Sequence, residues 1–337
     1  MDVTAGELLS SHTTLGLGGP AASMVTAYDE AEIVAALRAA PGPVLVLGGG
    51  SNLVVADEGF AGTVVRIASR GHTSTLDGDD VWLEVAAGED WDGLVAMTVE
   101  HHLSGIECLA GIPGLVGATP VQNVGAYGQD VSQTIASVRA YDRDRDLVVT
   151  VRDPGFAYRW SRFKAEAPRW VVLAVTYRLR DSPTSQPIRY GELARVLGVD
   201  VDGTAPLAEV RDAVLSLRRR KGMVLDPADP DTRSAGSFFT NPLLDAADVP
   251  AGAPSYPEPD GRRKVPAAWL IEQAGFGRGA FDGPAGISSK HTLALVNRGG
   301  ATTADLLRVA GAVRDGVRER FGVELVPEPV LVGVELA

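Results

Sequence analysis

The chain has one cysteine, Cys108, in 337 residues, so no disulfide can close within it, and one thiolate alone does not build a structural zinc site. The five histidines, His12, His72, His101, His102 and His291, show no ligand spacing with it, and no metal is expected. His101-His102 reads as helix-end and packing chemistry. Long apolar runs are missing as well: none approaches the roughly 18 residues a membrane-spanning helix requires. The start, MDVTAGELL, has no basic stretch followed by an apolar core, so no signal peptide is expected. Positive charge is in deficit. A formal net charge of −12 disfavours a general nucleic-acid binder, which needs a basic surface to neutralise phosphates. Neither a P-loop nor a GxGxxG dinucleotide fingerprint occurs. These absences together suit a reducing cytoplasm, without a membrane or nucleic-acid partner; a monomer is expected, though none of them bears on oligomeric state.

What remains is ordinary for a folded protein of two or three domains, with 45% hydrophobic and 22% charged residues. The 39 glycines and 21 prolines gather at element ends, where they mark turns and close backbone approaches. Asp29 with Glu32 has the form of a capping box opening a helix that Pro41-Gly42 stops. Val44-Leu45-Val46-Leu47 then reads as a buried strand, with a second at residues 62–67: a small α/β unit. Further strands are expected at 81–86, 135–141, 147–151 and 170–179, with a helix at 91–100 and a hairpin turn at Asp142-Arg143-Asp144, giving an α+β domain. Leu207, Val210, Val214 and Leu217 share one helical face. The basic run Arg218-Arg219-Arg220-Lys221 at that helix's end is open to two readings, a solvated C-terminus favoured by the helix dipole or a site for an anionic small molecule. Residues 251–264 read as a long proline- and glycine-rich loop, 267–273 as a short helix, and Leu306, Leu307, Ala310, Val313, Val317 and Phe321 as the apolar face of a longer one. Strand character returns after Gly322.

Two glycine-rich stretches carry the functional signal. Gly48-Gly49-Gly50-Ser51-Asn52-Leu53 follows the buried strand, and three glycines there let successive N–H groups converge on an anion. A tight turn alone also needs glycine, so this stretch by itself decides little. The second runs from Gly111 through Ile112, Pro113, Gly114, Gly117, Ala118, Gln122, Asn123, Gly125, Ala126 and Tyr127 to Gly128. Prolines fix φ while glycines bare the backbone, a degree of geometric specification that suits a long phosphate-bearing cofactor lying against the chain.

GGGSNL followed by GIPGLVGATPVQNVGAYG is similar to the UDP-N-acetylenolpyruvoylglucosamine reductase family, and the resemblance begins at His12-Thr13-Thr14-Leu15-Gly16 and covers nearly the whole chain. It implies an FAD-binding fold of the vanillyl-alcohol-oxidase type, two α/β subdomains, with a C-terminal α+β substrate-binding domain. The implied boundaries are residues 1–67 rejoined by the tail 328–337, then 68–227, then 228–327. Non-covalent FAD and NADPH as reductant are implied too. The family's arginine motif matches YRWSRFK and nominates Arg159, which read alone would be a surface salt-bridge residue. The serine loop matches AGSFFTNP and nominates Ser237 as proton donor and Asn241 as a nucleotide contact; Glu328 matches the carboxylate near the C-terminus. Tyr190, Lys221 and Gln273 correspond to further nucleotide and diphosphate contacts. Ser255-Tyr256-Pro257 resembles the longer subclass, in which a tyrosine-bearing loop folds over substrate, making Tyr256 a lid residue. The chain departs from the pattern at Thr240, commonly lysine, at Pro329, commonly valine, and in residues 222–233, longer than the compact proline-aspartate segment of relatives. Cys108 is expected to be a small buried hydrophobe beside the second stretch.

Overall fold

The computed structural model describes residues 1–336. It separates into two compact units: Met1–Ala5, Ser23–Gly49 and Gly62–Arg219 form the first, and Gly6–Ala22, Gly50–Ala61 and Arg220–Ala337 the second.

The first unit holds two sheets. One is four-stranded, in the order Asp2–Thr4, Ala21–Ala27, Phe60–Ile67, Val44–Leu47, and its last pair is parallel. Helix Glu30–Ala39 connects two of these strands and buries Ile33, Val34 and Leu37. Asp29 caps it by accepting from the Glu32 N–H, but the reciprocal half of the expected capping box is absent. Glu32 turns its carboxylate instead to the Tyr28 N–H and the Met1 ammonium, because a full positive charge outbids a backbone amide.

The second sheet is antiparallel, in the order Leu147–Val151, Ile135–Asp142, Trp170–Asp181, Asp80–Ala86, His72–Asp77, with Leu103–Ser104 also paired to the long central strand. Its core is read from alternation. Leu83 and Val85 are buried while Trp82 and Glu84 face outward. Helix Trp91–Glu100 follows, with Asp90 as its cap and His101 and His102 at its end, the latter in the left-handed region at φ 59°. Helix Leu207–Arg220 buries Leu207, Val210, Val214 and Leu217, as their spacing predicts.

The hairpin expected at residue 142 is held by an ion pair. Asp142 is 0% exposed, and Arg169 grips it bidentately, Nη2 to Oδ2 at 2.6 Å and Nε to Oδ1 at 2.9 Å. That grip, with N–H donors from Asp144 and Arg145, holds the Asp142 carboxyl down to about 2 from its ordinary 3.8. A depressed carboxyl adds stability that is complete above pH 3.8 and drains away as pH falls toward 2. Urea midpoints measured between pH 5 and pH 2 should therefore fall more steeply for the wild type than for Asp142→Asn, which starts lower and lacks this contribution; parallel curves would refute the assignment.

In the second unit, strands Ser234–Ser237, Ala294–Asn297 and Ala285–Ile287 form an antiparallel sheet covered by helix Thr303–Phe321. That helix presents Leu306, Val309, Ala310, Val313 and Val317 to the core; Leu307 and Phe321, expected on the same face, lie half-buried at its margin. Its start carries the reciprocal capping box, Thr302 with Asp305, and Gly322 ends it in the left-handed region. Strand Val330–Val332 pairs in parallel with Leu53–Val55. Residues 251–264 are no plain loop: Tyr256–Pro257 and Arg263–Lys264 join Leu243–Leu244 in a small antiparallel sheet. Strands of two residues leave no alternation to read, and Pro257 is tolerated because its strand is an edge.

Candidate active site

In the first unit the two glycine-rich stretches touch. A Cβ at Gly49 would lie 2.8 Å from the Gly114 Cα, so the backbones approach as only two glycines permit. The second stretch is shaped by its neighbours. The Gly111 N–H donates to Asp92 Oδ1 at 2.6 Å, the Gly114 carbonyl accepts from the Trp91 N–H, and Val116 donates to Glu89. Gly117 packs so closely on Ala87 that a Cβ would meet its methyl at 2.5 Å. Ile112, Pro113 and Gln122 are half-buried beside it, and Ala118 is exposed at the end of a short 3₁₀ turn.

Asn123 has φ 48° and gives both ends of its amide to the scaffold: Nδ2 donates to the Ala157 carbonyl and Oδ1 accepts from the Ser132 N–H. Gly125–Ala126 pairs with Gln129–Asp130, and the Tyr127 ring meets Tyr190 edge-on at 5.4 Å. Arg159 joins this loop. Its Nη2 donates to the Gly125 carbonyl at 2.9 Å and its Nη1 to the Asn123 carbonyl at 3.4 Å, while its own backbone sits at φ 53°. An exposed salt-bridge arginine would have no reason to hold that conformation; here the guanidinium plane is fixed against the second stretch.

Behind the loop lie further charges, Asp92 and Arg211 among them. Asp92 also receives Arg211 Nη2 at 3.3 Å. Burial pushes the Arg218 guanidinium down to about 10, with the nearby Tyr127 and Asp92 charges acting the other way, so it stays cationic at neutral pH. Arg219 and Arg220 are exposed. The basic run is thus divided: Arg218 turns inward and the next two residues face solvent. Cys108 is buried, with its thiol pKa raised by desolvation, a poor nucleophile.

In the second unit Ser237 and Glu328 are neighbours through the backbone. Ser237 ends its strand opposite Ala294, and the next residue, Phe238, accepts from the Glu328 N–H at 2.8 Å while donating to the Leu293 carbonyl at 2.7 Å. Phe238 and Phe239 are buried and packed edge-on, which anchors this turn in the core. Glu328 lies between Pro327 and Pro329, each with φ fixed by its ring. Its carbonyl accepts from Asn52 Nδ2 at 3.3 Å, and the Asn52 carbonyl accepts from the Val330 N–H at 2.9 Å. The first glycine stretch therefore runs alongside the tail that carries Glu328. Gly50 is buried against the His12 carbonyl, Ser51 is half-buried next to it, and Leu53 begins the strand paired with Val330.

Of the remaining candidates, Asn241 and Gln273 sit at opposite ends of helix Ala267–Gln273, where Asn241 Oδ1 accepts from the Ala267 N–H and Gln273 is exposed. Lys221 is half-buried just past helix Leu207–Arg220. Tyr190 precedes helix Gly191–Leu197, and Tyr256 is 56% exposed on its edge strand. A cleft of about 820 Å³ elsewhere in the first unit, lined by Arg38, Tyr141, Arg143 and Arg169 among others, contains none of the nominated residues. Arg38 and Arg169 there are already paired with Asp146 and Asp142. Among the described residues no group of three or more His, Cys, Asp or Glu could hold a metal ion, and no helix is long and apolar enough to cross a membrane.

Gly49 and Gly114 bring the two stretches together as bare backbone, a surface without side chains of the kind a phosphate-bearing cofactor needs for close approach. Residues 21–150 match the family model described as FAD binding domain, and residues 227–332 match the C-terminal domain of UDP-N-acetylenolpyruvoylglucosamine reductase. The reductase of that name from Thermobifida fusca is 57% identical, over 97% of each chain. That of Saccharopolyspora erythraea is also 57% identical, over 99% of this chain and 96% of its own. The crystal structure of the reductase from Thermus caldophilus superposes with a TM-score of 0.70 at 28% identity, covering 98% of this chain and 99% of that one. The α+β architecture and FAD-binding fold expected from the sequence are those of this group.

Proposed function

Since this chain belongs to the UDP-N-acetylenolpyruvoylglucosamine reductase family, we propose how its own residues carry out the family's reaction. The enzyme is a flavin oxidoreductase that reduces UDP-N-acetylenolpyruvoylglucosamine to UDP-N-acetylmuramate for peptidoglycan synthesis, with NADPH as reductant. Bound FAD would supply the hydride-transfer chemistry, relaying reducing equivalents from NADPH to C3 of the enolpyruvyl group.

The protein must then hold the substrate carboxylate, steady the charge that grows on it, and protonate C2. Arg159 holds the carboxylate, its guanidinium oriented by the Asn123 and Gly125 carbonyls. Ser237 Oγ–H donates its proton to C2, so hydride and proton add across the double bond. Serine is a poor acid, but the developing carbanion is a strong base. Glu328 keeps the surrounding hydrogen bonds in order from a backbone fixed by Phe238 and Asn52. Tyr190, Lys221, Asn241 and Gln273 contact the nucleotide and diphosphate, and Tyr256 covers the bound substrate. The FAD is held by residues 48–53 and by the second stretch. Residues 1–67 with 328–337 and residues 68–227 form the cofactor-binding subdomains and 228–327 the substrate domain; the start of the C-terminal match at residue 227 supports the last of these boundaries. The protein works as a monomer in the cytoplasm, where NADPH is available.

The single observation that carries the assignment is the backbone link from Ser237's turn to Glu328, the two nominated residues that lie 91 positions apart in the sequence (328 − 237) and are joined by the Glu328 N–H to Phe238 carbonyl bond. The purified protein should be yellow. NADPH oxidation should depend strongly on added UDP-N-acetylenolpyruvoylglucosamine; equal rates with and without it, sustained by oxygen, would assign an oxidase instead.

A further inference from the structure

Residues 222–233 connect Lys221 to the strand that ends at Ser237. The segment is tied down. Asp231, 9% exposed, accepts from the Ser289 N–H at 3.0 Å through Oδ1 and from the Ser289 hydroxyl at 2.5 Å through Oδ2. Two residues earlier, Asp229 pairs with Lys290. Thr232 Oγ1 closes the segment on itself, donating toward the Asp226 and Asp229 carbonyls at 2.9 Å each and accepting from the Asp226 N–H. At its other end Gly222, with φ 65°, lies flat on Asp231: a Cβ there would be 3.2 Å from both the Asp231 Cβ and its carbonyl oxygen. The backbone immediately after Lys221 thus rests on Asp231, and Asp231 rests on Ser289. Burial opposes charge on Asp231, yet the Ser289 hydrogen bonds and the Lys290 charge hold its carboxyl below the usual value, so it is anionic at neutral pH.

We propose that Asp231 is a positioning residue for substrate binding, setting through Gly222 the place from which Lys221 reaches the diphosphate of the UDP-sugar. This rests on the assignment of Lys221 as a diphosphate contact. A lysine side chain is long and flexible, so a fixed backbone origin narrows the volume its ammonium samples. The Asp231–Ser289 anchor holds residues 222–233 beside the end of the basic run.

The test uses the holoenzyme. Asp231→Ala should raise KM for UDP-N-acetylenolpyruvoylglucosamine about tenfold while kcat changes less than about threefold, since hydrogen bonds to a buried charge are lost away from the reacting atoms. Asp231→Asn retains an acceptor for the Ser289 N–H and should restore KM to within about twofold of wild type. In a Lys221→Ala background, itself raised in KM, Asp231→Ala should add nothing, because residues acting through one contact are not additive. Should Asp231→Ala fold poorly, Ser289→Ala reads the same anchor and should raise KM in the same direction. A lowered melting temperature with unchanged KM, or a full further KM increase in the Lys221→Ala background, overturns the proposal. If Lys221→Ala alone leaves KM unchanged, the assignment of Lys221 falls and the proposal falls with it.

Discussion

Ser237→Ala should leave the rate of flavin bleaching by NADPH at its wild-type value while lowering reduction of the enolpyruvyl substrate by about a thousandfold or more, within the range that loss of a positioned general acid produces. Stopped-flow absorbance separates the two half-reactions. The substitution removes one oxygen from a turn whose shape is set elsewhere, by buried Phe238 and Phe239 and by the hydrogen bonds of Phe238 to Leu293 and Glu328. Protein stability and flavin content should therefore be preserved. The outcome that sinks the assignment is survival of both half-reactions, which would place the proton donor on another residue. Slowing of both together would mean that the turn shapes the flavin site and Ser237 has no specific role in protonation. Cysteine at this position retains a proton on a third-row atom and should recover part of the rate.

What the sequence made visible follows physical range. Helices Trp91–Glu100, Leu207–Arg220 and Ala267–Gln273 and strand Leu147–Val151 were readable because periodicity and end signals are local. Strand Leu53–Val55 escaped because its partner, Val330–Val332, lies at the far end of the chain, and three apolar residues after a glycine turn announce nothing by themselves. The capping motif shows the same limit. Asp29 and Thr302 both offer a suitable residue followed by an acid, but Glu32 is drawn to the Met1 ammonium while Asp305 keeps Oδ2 on the Thr302 N–H even with Arg308 beside its Oδ1.

The candidate site divides in the same way. Glycine stretches are legible because a bare backbone has to be written in glycine, and the family resemblance supplied Arg159, Ser237 and Glu328. Nothing local predicted that Arg159 would adopt φ 53° against the Gly125 carbonyl, since a non-glycine residue enters that region only when tertiary contacts compel it. Asp92 and Asp231 were equally silent. Each is an acid in a polar stretch, the usual appearance of a solvated side chain, and each is committed to a backbone N–H, of Gly111 and Ser289 respectively. Sequence reports the groups that must be small; it does not report the charges that hold them in place.

That asymmetry gives the second large effect, loss of FAD on adding a single methyl group to the first glycine stretch. At an ordinary glycine, alanine stabilises by about 0.4–1 kcal/mol through the unfolded chain. At Gly50 the balance reverses. Its φ is 59°, and a Cβ would stand 1.8 Å from the His12 carbonyl oxygen, far inside any tolerable contact, so the backbone of residues 12–14 or of the stretch itself has to move. The Thr14 N–H to Gly50 carbonyl bond at 3.2 Å breaks with it. Gly50→Ala should purify colourless, or fail to accumulate. Gly49→Ala is the graded test, because its Cβ would lie 2.8 Å from the Gly114 Cα, less severe than at Gly50 but still short of the 3.4 Å at which ordinary contact begins. Spreading the two backbones by that amount should weaken FAD binding about 10- to 100-fold, the cost of losing one or two hydrogen bonds to a charged group. Flavin fluorescence titration of the apoprotein measures it, and the melting temperature of the apoprotein serves as control. An unchanged FAD affinity in Gly49→Ala would mean that the contact between Gly49 and Gly114 serves packing alone and that the cofactor lies elsewhere.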